Sequence, residues 1–124
     1  MRGIVEIALP KSRAGNVKAE AERRIAAGIM VNGSPFRCDE ISVQRLEDME
    51  RVFADGDVEP GGIRFRTMAG ETVILSDLAV ARTLSDAVRR FRLACLRCSD
   101  TLQGDADTDF SLDTGWPTPP SISI

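Results

Sequence analysis

The sequence predicts a small single domain of the α+β class. Its order is helix, β-hairpin, helix, β-strand pair and long C-terminal helix, with an extended arm at either end. Three observations carry that prediction. The apolar positions Ala81, Leu84, Val88, Phe91, Cys95, Cys98 and Leu102 are spaced 3, 4, 3, 4, 3, 4, the period of one packed helix face. Asn32-Gly33 stands between two short apolar runs, and both residues accept the positive φ of a two-residue hairpin turn. Ile63 and Phe65 alternate with Arg64 and Arg66, which gives a strand one apolar and one charged face.

The elements follow in order. Residues 1–15 form an N-terminal arm, with a strand-like apolar run from Ile4 to Leu9 that breaks at Pro10 and Gly15. Asn16 is expected to cap a helix whose thin apolar stripe is Val17, Ala21 and Ile25, and Gly28 stops it. The hairpin at Asn32-Gly33 follows. Asp39, Glu40 and Ser42 introduce a second helix with Val43, Leu46, Met49 and Phe53 on one face and Gly56 at its end. The runs "GGIRFRT" and "ETVILS", joined by Met68-Ala69-Gly70, read as a strand pair, and Ser76 or Asp77 opens the long helix that ends at Gly104. The α+β core therefore spans 16–103, and an acidic, then Pro/Ser-rich, C-terminal arm spans 104–124. The expected buried set is Val31, Phe36, Leu46, Phe53, Ile63, Phe65, Ile74, Leu84, Val88 and Phe91.

Composition excludes several function classes. A chain of 124 residues with 43% hydrophobic content builds one modest core. Its net charge of -3 gives no overall attraction to nucleic acid or to an anionic membrane. No apolar run reaches the ~18 residues of a membrane span, and the first residues lead into no signal-peptide hydrophobic region, so synthesis in a cytoplasm is expected. There is no histidine and no tyrosine, and Lys11 and Lys18 are the only lysines. Acid–base catalysis near neutral pH then falls to residues whose pKa values must be displaced, and no nucleophile–base pair can be assembled, so the chain is read as a non-enzyme.

The Cys-x-x-Cys of "RLACLRCSD" has the spacing of a zinc knuckle or a redox dithiol. With Cys38 the chain holds three cysteines, one short of an all-cysteine zinc site, and both Cys95 and Cys98 continue the apolar seam. They read as packing. The run "DADTDFSLD" resembles the start of a calcium loop, but Phe110 stands where that loop needs glycine and Trp116 where it needs a bidentate glutamate. No metal and no cofactor is expected.

What remains is interaction. Arg89, Arg90, Arg92 and Arg97 lie mostly off the seam of the long helix and form a basic face. Asp105, Asp107 and Asp109 offer it an acidic counterpart, on a like subunit. The arms carry Ile4, Val5, Ile7 and Leu9 at one end and Phe110, Trp116, Ile122 and Ile124 at the other. Such apolar residues in segments outside the core are expected to need another chain. All these arginines, aspartates and arm residues are the candidate subunit-interface positions. A small-molecule substrate and a membrane partner are not expected, and nucleic acid is disfavoured because aromatic content is low and no recognition motif is present.

Three stretches carry a family resemblance: "ERRIAAG" before the hairpin, the F-x-C-D-x-x-S-x-x-R-L turn into a helix, and a strand pair leading to "LSDLAVARTLSDAVRRF". Over roughly residues 18–102 the chain resembles a small domain family of unknown function found among the tail and tail-fibre genes of tailed bacteriophages and prophages. The resemblance implies a structural component of a phage tail, in the virion after synthesis in the bacterial cytoplasm. Its partners would be other copies of itself and neighbouring tail or fibre proteins. Relatives often carry the domain after fibre-related sequence, whereas here it is nearly the whole sequence, which favours a baseplate or fibre-attachment adaptor. The alternatives are a non-virion tail-fibre assembly factor and a small regulator that binds nucleic acid through the Arg-rich helix.

Overall fold

The computed structural model describes residues 12–56, 61–67 and 70–124. Helix α1 (Arg13–Ala27) begins four residues earlier than the expected Asn16 cap implies, because Ser12 caps it: the Ser12 hydroxyl accepts from the Gly15 N–H at 3.1 Å. A glycine in the first turn costs helix stability, on the order of 1 kcal/mol. Contacts that Arg13 makes at the far end of the chain offset this. Gly28 ends α1 with φ 74°, and a Cβ there would lie 1.8 Å from the Phe36 carbonyl oxygen, so no other residue fits.

Strands β1 (Ile29–Val31) and β2 (Ser34–Phe36) form the expected hairpin, with Asn32 and Gly33 at φ 51° and 83°. Met30 faces Pro35 across this pair. Proline has no N–H to give, which is tolerable because β2 is an edge strand. Helix α2 (Glu40–Ala54) is capped by Asp39, whose carboxylate accepts from the Ser42 N–H at 3.0 Å. Strands β3 (Ile63–Arg66) and β4 (Thr72–Leu75) form a separate antiparallel pair. Helix α3 (Leu78–Gln103) is capped by Asp77 and, at about 1.5 Å per residue, runs ~39 Å as the spine on which α1 and α2 both pack.

The seam on α3 is as the spacing predicts. Ala81, Leu84, Val88, Phe91, Cys95 and Leu102 are buried, and Cys98 is half-buried. Val31, Phe36 and Leu46 are buried with them, while Phe53 and Phe65 pack at the margin and Ile63 is half-buried. Ile74 is a correction. It pairs with Arg64 in the register and is 50% exposed, because Val73 and Leu75 sit opposite Phe65 and Ile63 and take the inner face instead. A run of three apolar residues does not reveal which parity faces inward.

Residues 104–124 fold back on their own chain. They pass through a 3-10 turn (Asp113–Gly115) and end in β5 (Ser121–Ile122), which joins β1 in parallel to complete a three-stranded sheet of order β2-β1-β5. Trp116, 5% exposed, forms a second apolar cluster with Val17, Ala21 and Leu102, with Cys98 and Phe110 at its edge. Ile122 and Ile124 pack against the main core. The expectation that this segment needs another chain to cover its apolar residues is thus corrected. Helices α1 and α3 leave a groove that their own strap covers, and a groove between two helices is invisible to composition.

Candidate functional site

The strap is held by one residue from each of three places in the fold. Arg13, at the start of α1, donates from Nε to the Leu102 carbonyl at 3.1 Å and from Nη2 to the Asp105 and Thr108 carbonyls, and its guanidinium lies 5.3 Å from the centre of the Phe110 ring. These carbonyls close the C-terminal end of α3, where a cation is favoured by the helix dipole. Arg24, in the last turn of α1, lies 5.1 Å from the centre of the Trp116 ring and pairs with Glu20 at 2.8 Å and Asp113 at 3.0 Å. The Trp116 indole N–H donates to the Phe110 carbonyl at 2.8 Å, so the ring is buried with its one polar group satisfied. Asn32, from the hairpin turn, grips the end of the strap twice: its Nδ2 donates to the Ile124 carbonyl and its Oδ1 accepts from the Ile124 N–H. Between these anchors Met30 and Asn32 donate their N–H groups to the carbonyls of Pro120 and Ile122 at 3.0 and 2.9 Å.

The proline bridge between Trp116 and β5 spans the groove without filling it. One crevice of about 380 Å³ lies under it, lined by Ala87, Arg90, Phe91, Ala94, Pro117 and Pro120 among others. A smaller one of about 160 Å³ lies on the α1 side, beside Arg24 and Phe91.

The predicted arginine face does not act as one surface. Arg89 is committed within the chain, bonding Ser85 and pairing with Glu50 of α2. Arg92 is half-buried near Cys38 and Asp39, and Arg90 lines the strap crevice. Arg97 is exposed. Asp105 and Asp109 organise the turn after α3: Asp105 accepts from Thr108 Oγ1 and the Asp107 N–H, and Asp109 accepts from the N–H and hydroxyl of Ser111. Those hydrogen bonds hold both carboxyls below the usual carboxylate range, by the Thr108 side chain first for Asp105 and the Ser111 side chain first for Asp109. Asp107 is exposed. Ile4, Val5, Ile7 and Leu9 lie outside the described residues.

Burial pushes the Cys38 thiol up to about 12 and the Cys95 thiol up to about 11, away from the thiolate that redox or metal chemistry needs. Cys98 donates to the Gly115 carbonyl at 3.3 Å and so fastens the strap to α3. Among the described residues no three metal-ligating side chains come together, and no helix is long and apolar enough to cross a membrane.

Sequence reasoning missed the residues that hold the strap, Arg13, Arg24 and Asn32. It also missed a basic notch of about 130 Å³ where Arg37, Ser42, Arg45, Arg66 and Thr67 surround the rings of Phe36 and Phe65. Arg13 and Arg24 had no distinguishing local pattern. The lone tryptophan was the available signal, since a large ring with a polar edge is more often anchored than free.

Comparison with sequence families matches residues 8–114 to a family described as Domain of unknown function (DUF4376). The chain belongs to that family. The match runs through the core and the acidic turn and stops just before Trp116, so in this member of the DUF4376 family the buried ring and the β5 strand lie beyond the matched region. No curated protein and no solved structure matches the chain.

Proposed function

We propose that this DUF4376 chain is a structural component of a bacteriophage tail, a baseplate or fibre-attachment adaptor, and that it works by holding extended segments rather than by catalysis. The phage assignment rests on the resemblance described above. The observation that supports the mode of action is the strap itself: an extended segment anchored by Trp116, bonded to the free edge of β1 and bridged by prolines. Strand addition of this kind uses main-chain hydrogen bonds for affinity and pockets for selectivity. Apart from the turn bond from the Trp116 N–H to the Asp113 carbonyl, its anchoring contacts are to residues distant in sequence or to Phe110, and the same groove would suit residues 116–124 of a neighbouring copy. Exchange of an identical element between subunits conserves most of its contacts and costs little.

The test is quantitative mass spectrometry of purified particles, with wild-type protein and with Trp116→Ala. The reading expects the chain at a fixed stoichiometry in particles and a loss of incorporation in the variant. Absence from particles combined with co-purification on a fibre protein would favour the non-virion assembly factor. Absence from both, or full incorporation of Trp116→Ala, would remove the proposal.

A further inference from the structure

Two arginines of the basic notch beside α2, Arg45 and Arg66, and the Asp107 carboxylate of the acidic turn after α3 have no charge partner among the described residues. Arg45 and Arg66 are exposed and make no ion pair there, and Arg37 reaches only Asp39, at 3.9 Å. That contact is long, and the other oxygen of the same carboxylate caps α2. Three arginines thus line one concavity with two aromatic residues, in a protein whose net charge is negative. Guanidinium forks recognise carboxylates in a planar, bidentate way, and aromatic neighbours lower the local dielectric and strengthen the contact.

The acidic turn has matching features. Its backbone is fixed by Arg13 and by the Asp105 and Asp109 hydrogen bonds, while the Asp107 carboxylate accepts nothing among the described residues. Leu112, whose N–H donates to the Asp109 carbonyl of the same turn, is 54% exposed. The notch also has an exposed aliphatic neighbour: Ile41, 61% exposed, lies one helical turn before Arg45 on α2. Each patch therefore pairs charge with one uncovered aliphatic side chain, and the signs are opposite.

We infer that the notch of Arg37, Arg45 and Arg66 is a docking site for the acidic turn of a second copy of this chain, with Ile41 covered by Leu112. Among the described residues no ion pair joins the two patches within one chain, and the proposed contact joins different surfaces of two copies. Such a head-to-tail interface repeats: it closes into a ring if the rotation permits, and otherwise extends as a filament. It does not require the strap to be exchanged.

The test is sedimentation velocity of the full chain at low and high salt, with Arg45→Glu/Arg66→Glu and Asp107→Arg as charge reversals. All three positions are exposed, and circular dichroism with the buried-Trp116 fluorescence checks that each variant keeps its fold and its strap. Wild-type protein is expected to self-associate, weakening at least tenfold between roughly 50 and 300 mM salt because exposed charges are screened. Each variant alone is expected to be monomeric. Mixed, they are expected to associate again, because the intact turn of one meets the intact notch of the other and the reversed pair is also complementary. A wild-type chain that stays monomeric at low salt overturns the inference, as do variants that associate like wild type or a mixture that stays monomeric. Binding of inorganic phosphate to the notch without self-association would likewise make it an anion site and not this interface. Retained strap fluorescence in a monomeric wild type would sink this interface without touching strap exchange in particles.

Discussion

Replacing Trp116 by alanine isolates what the strap contributes. The indole buries an area on the order of 150–250 Å², which at about 25 cal/mol per Å² is a transfer contribution of ~4–6 kcal/mol; the methyl that remains and a compact unfolded chain reduce it. The N–H bond to Phe110 adds about 1 kcal/mol, and the stacked Arg24 about another 0.5–1 kcal/mol. A loss of about 3–5 kcal/mol from strap docking is therefore expected, in the range of other large aromatic truncations. The strap cannot lose more than it holds. If its docking energy is smaller than this, it detaches, and the global loss in denaturation stops at that value while α1, α2 and α3 stay packed. Hydrogen exchange reads this directly at the Met30 and Asn32 amides, which donate to Pro120 and Ile122. Their protection should collapse in the variant, whereas amides in the middle of α3 should keep theirs up to the global limit. Unchanged protection at those two amides, with an unchanged urea midpoint, would refute the reasoning and show that Trp116 is not the anchor.

Two further outcomes follow from the backbone and from the thiols. Gly28→Ala should cost about 3 kcal/mol or more by urea denaturation, since its Cβ meets the Phe36 carbonyl at φ 74°; Gly33→Ala, at φ 83° in open space, should cost only about 1 kcal/mol. Equal losses at the two sites would mean that conformation and not the close approach sets the cost. Cys38 and Cys95 should resist alkylation at pH 8 in the native protein and react on unfolding, as peptide mass spectrometry would reveal. Because their folded pKa values lie above the unfolded value near 9, they contribute stability that is full below about pH 9 and is lost as pH rises toward 11 and 12. Rapid native labelling of either residue, or a denaturation midpoint that rises over that interval, would contradict their burial.

The sequence by itself determined the local elements, because each is written in short-range chemistry. The 3-4 spacing from Ala81 to Leu102 needs no partner to be read as one helix face, and Asn32-Gly33 predicts its own turn from φ preferences. Asp39 and Asp77 cap their helices through hydrogen bonds only three residues long. The family resemblance was legible for the same reason, since it lies in the order and spacing of those elements. What only the tertiary structure decided is which surfaces find each other across long sequence separations. Arg13 and Leu102 are 89 residues apart, and Asn32 and Ile124 are 92 apart. Whether residues 104–124 are an arm or a strap depended on the groove between α1 and α3, which exists only once those helices pack. The parity of Ile74 depended on a register set by β3. The basic notch depended on bringing Arg37, Arg45 and Arg66 from separate stretches of the chain to one concavity. Local propensity has no term for such distances; they are set by the burial of apolar faces against one another, which is a property of the assembled core.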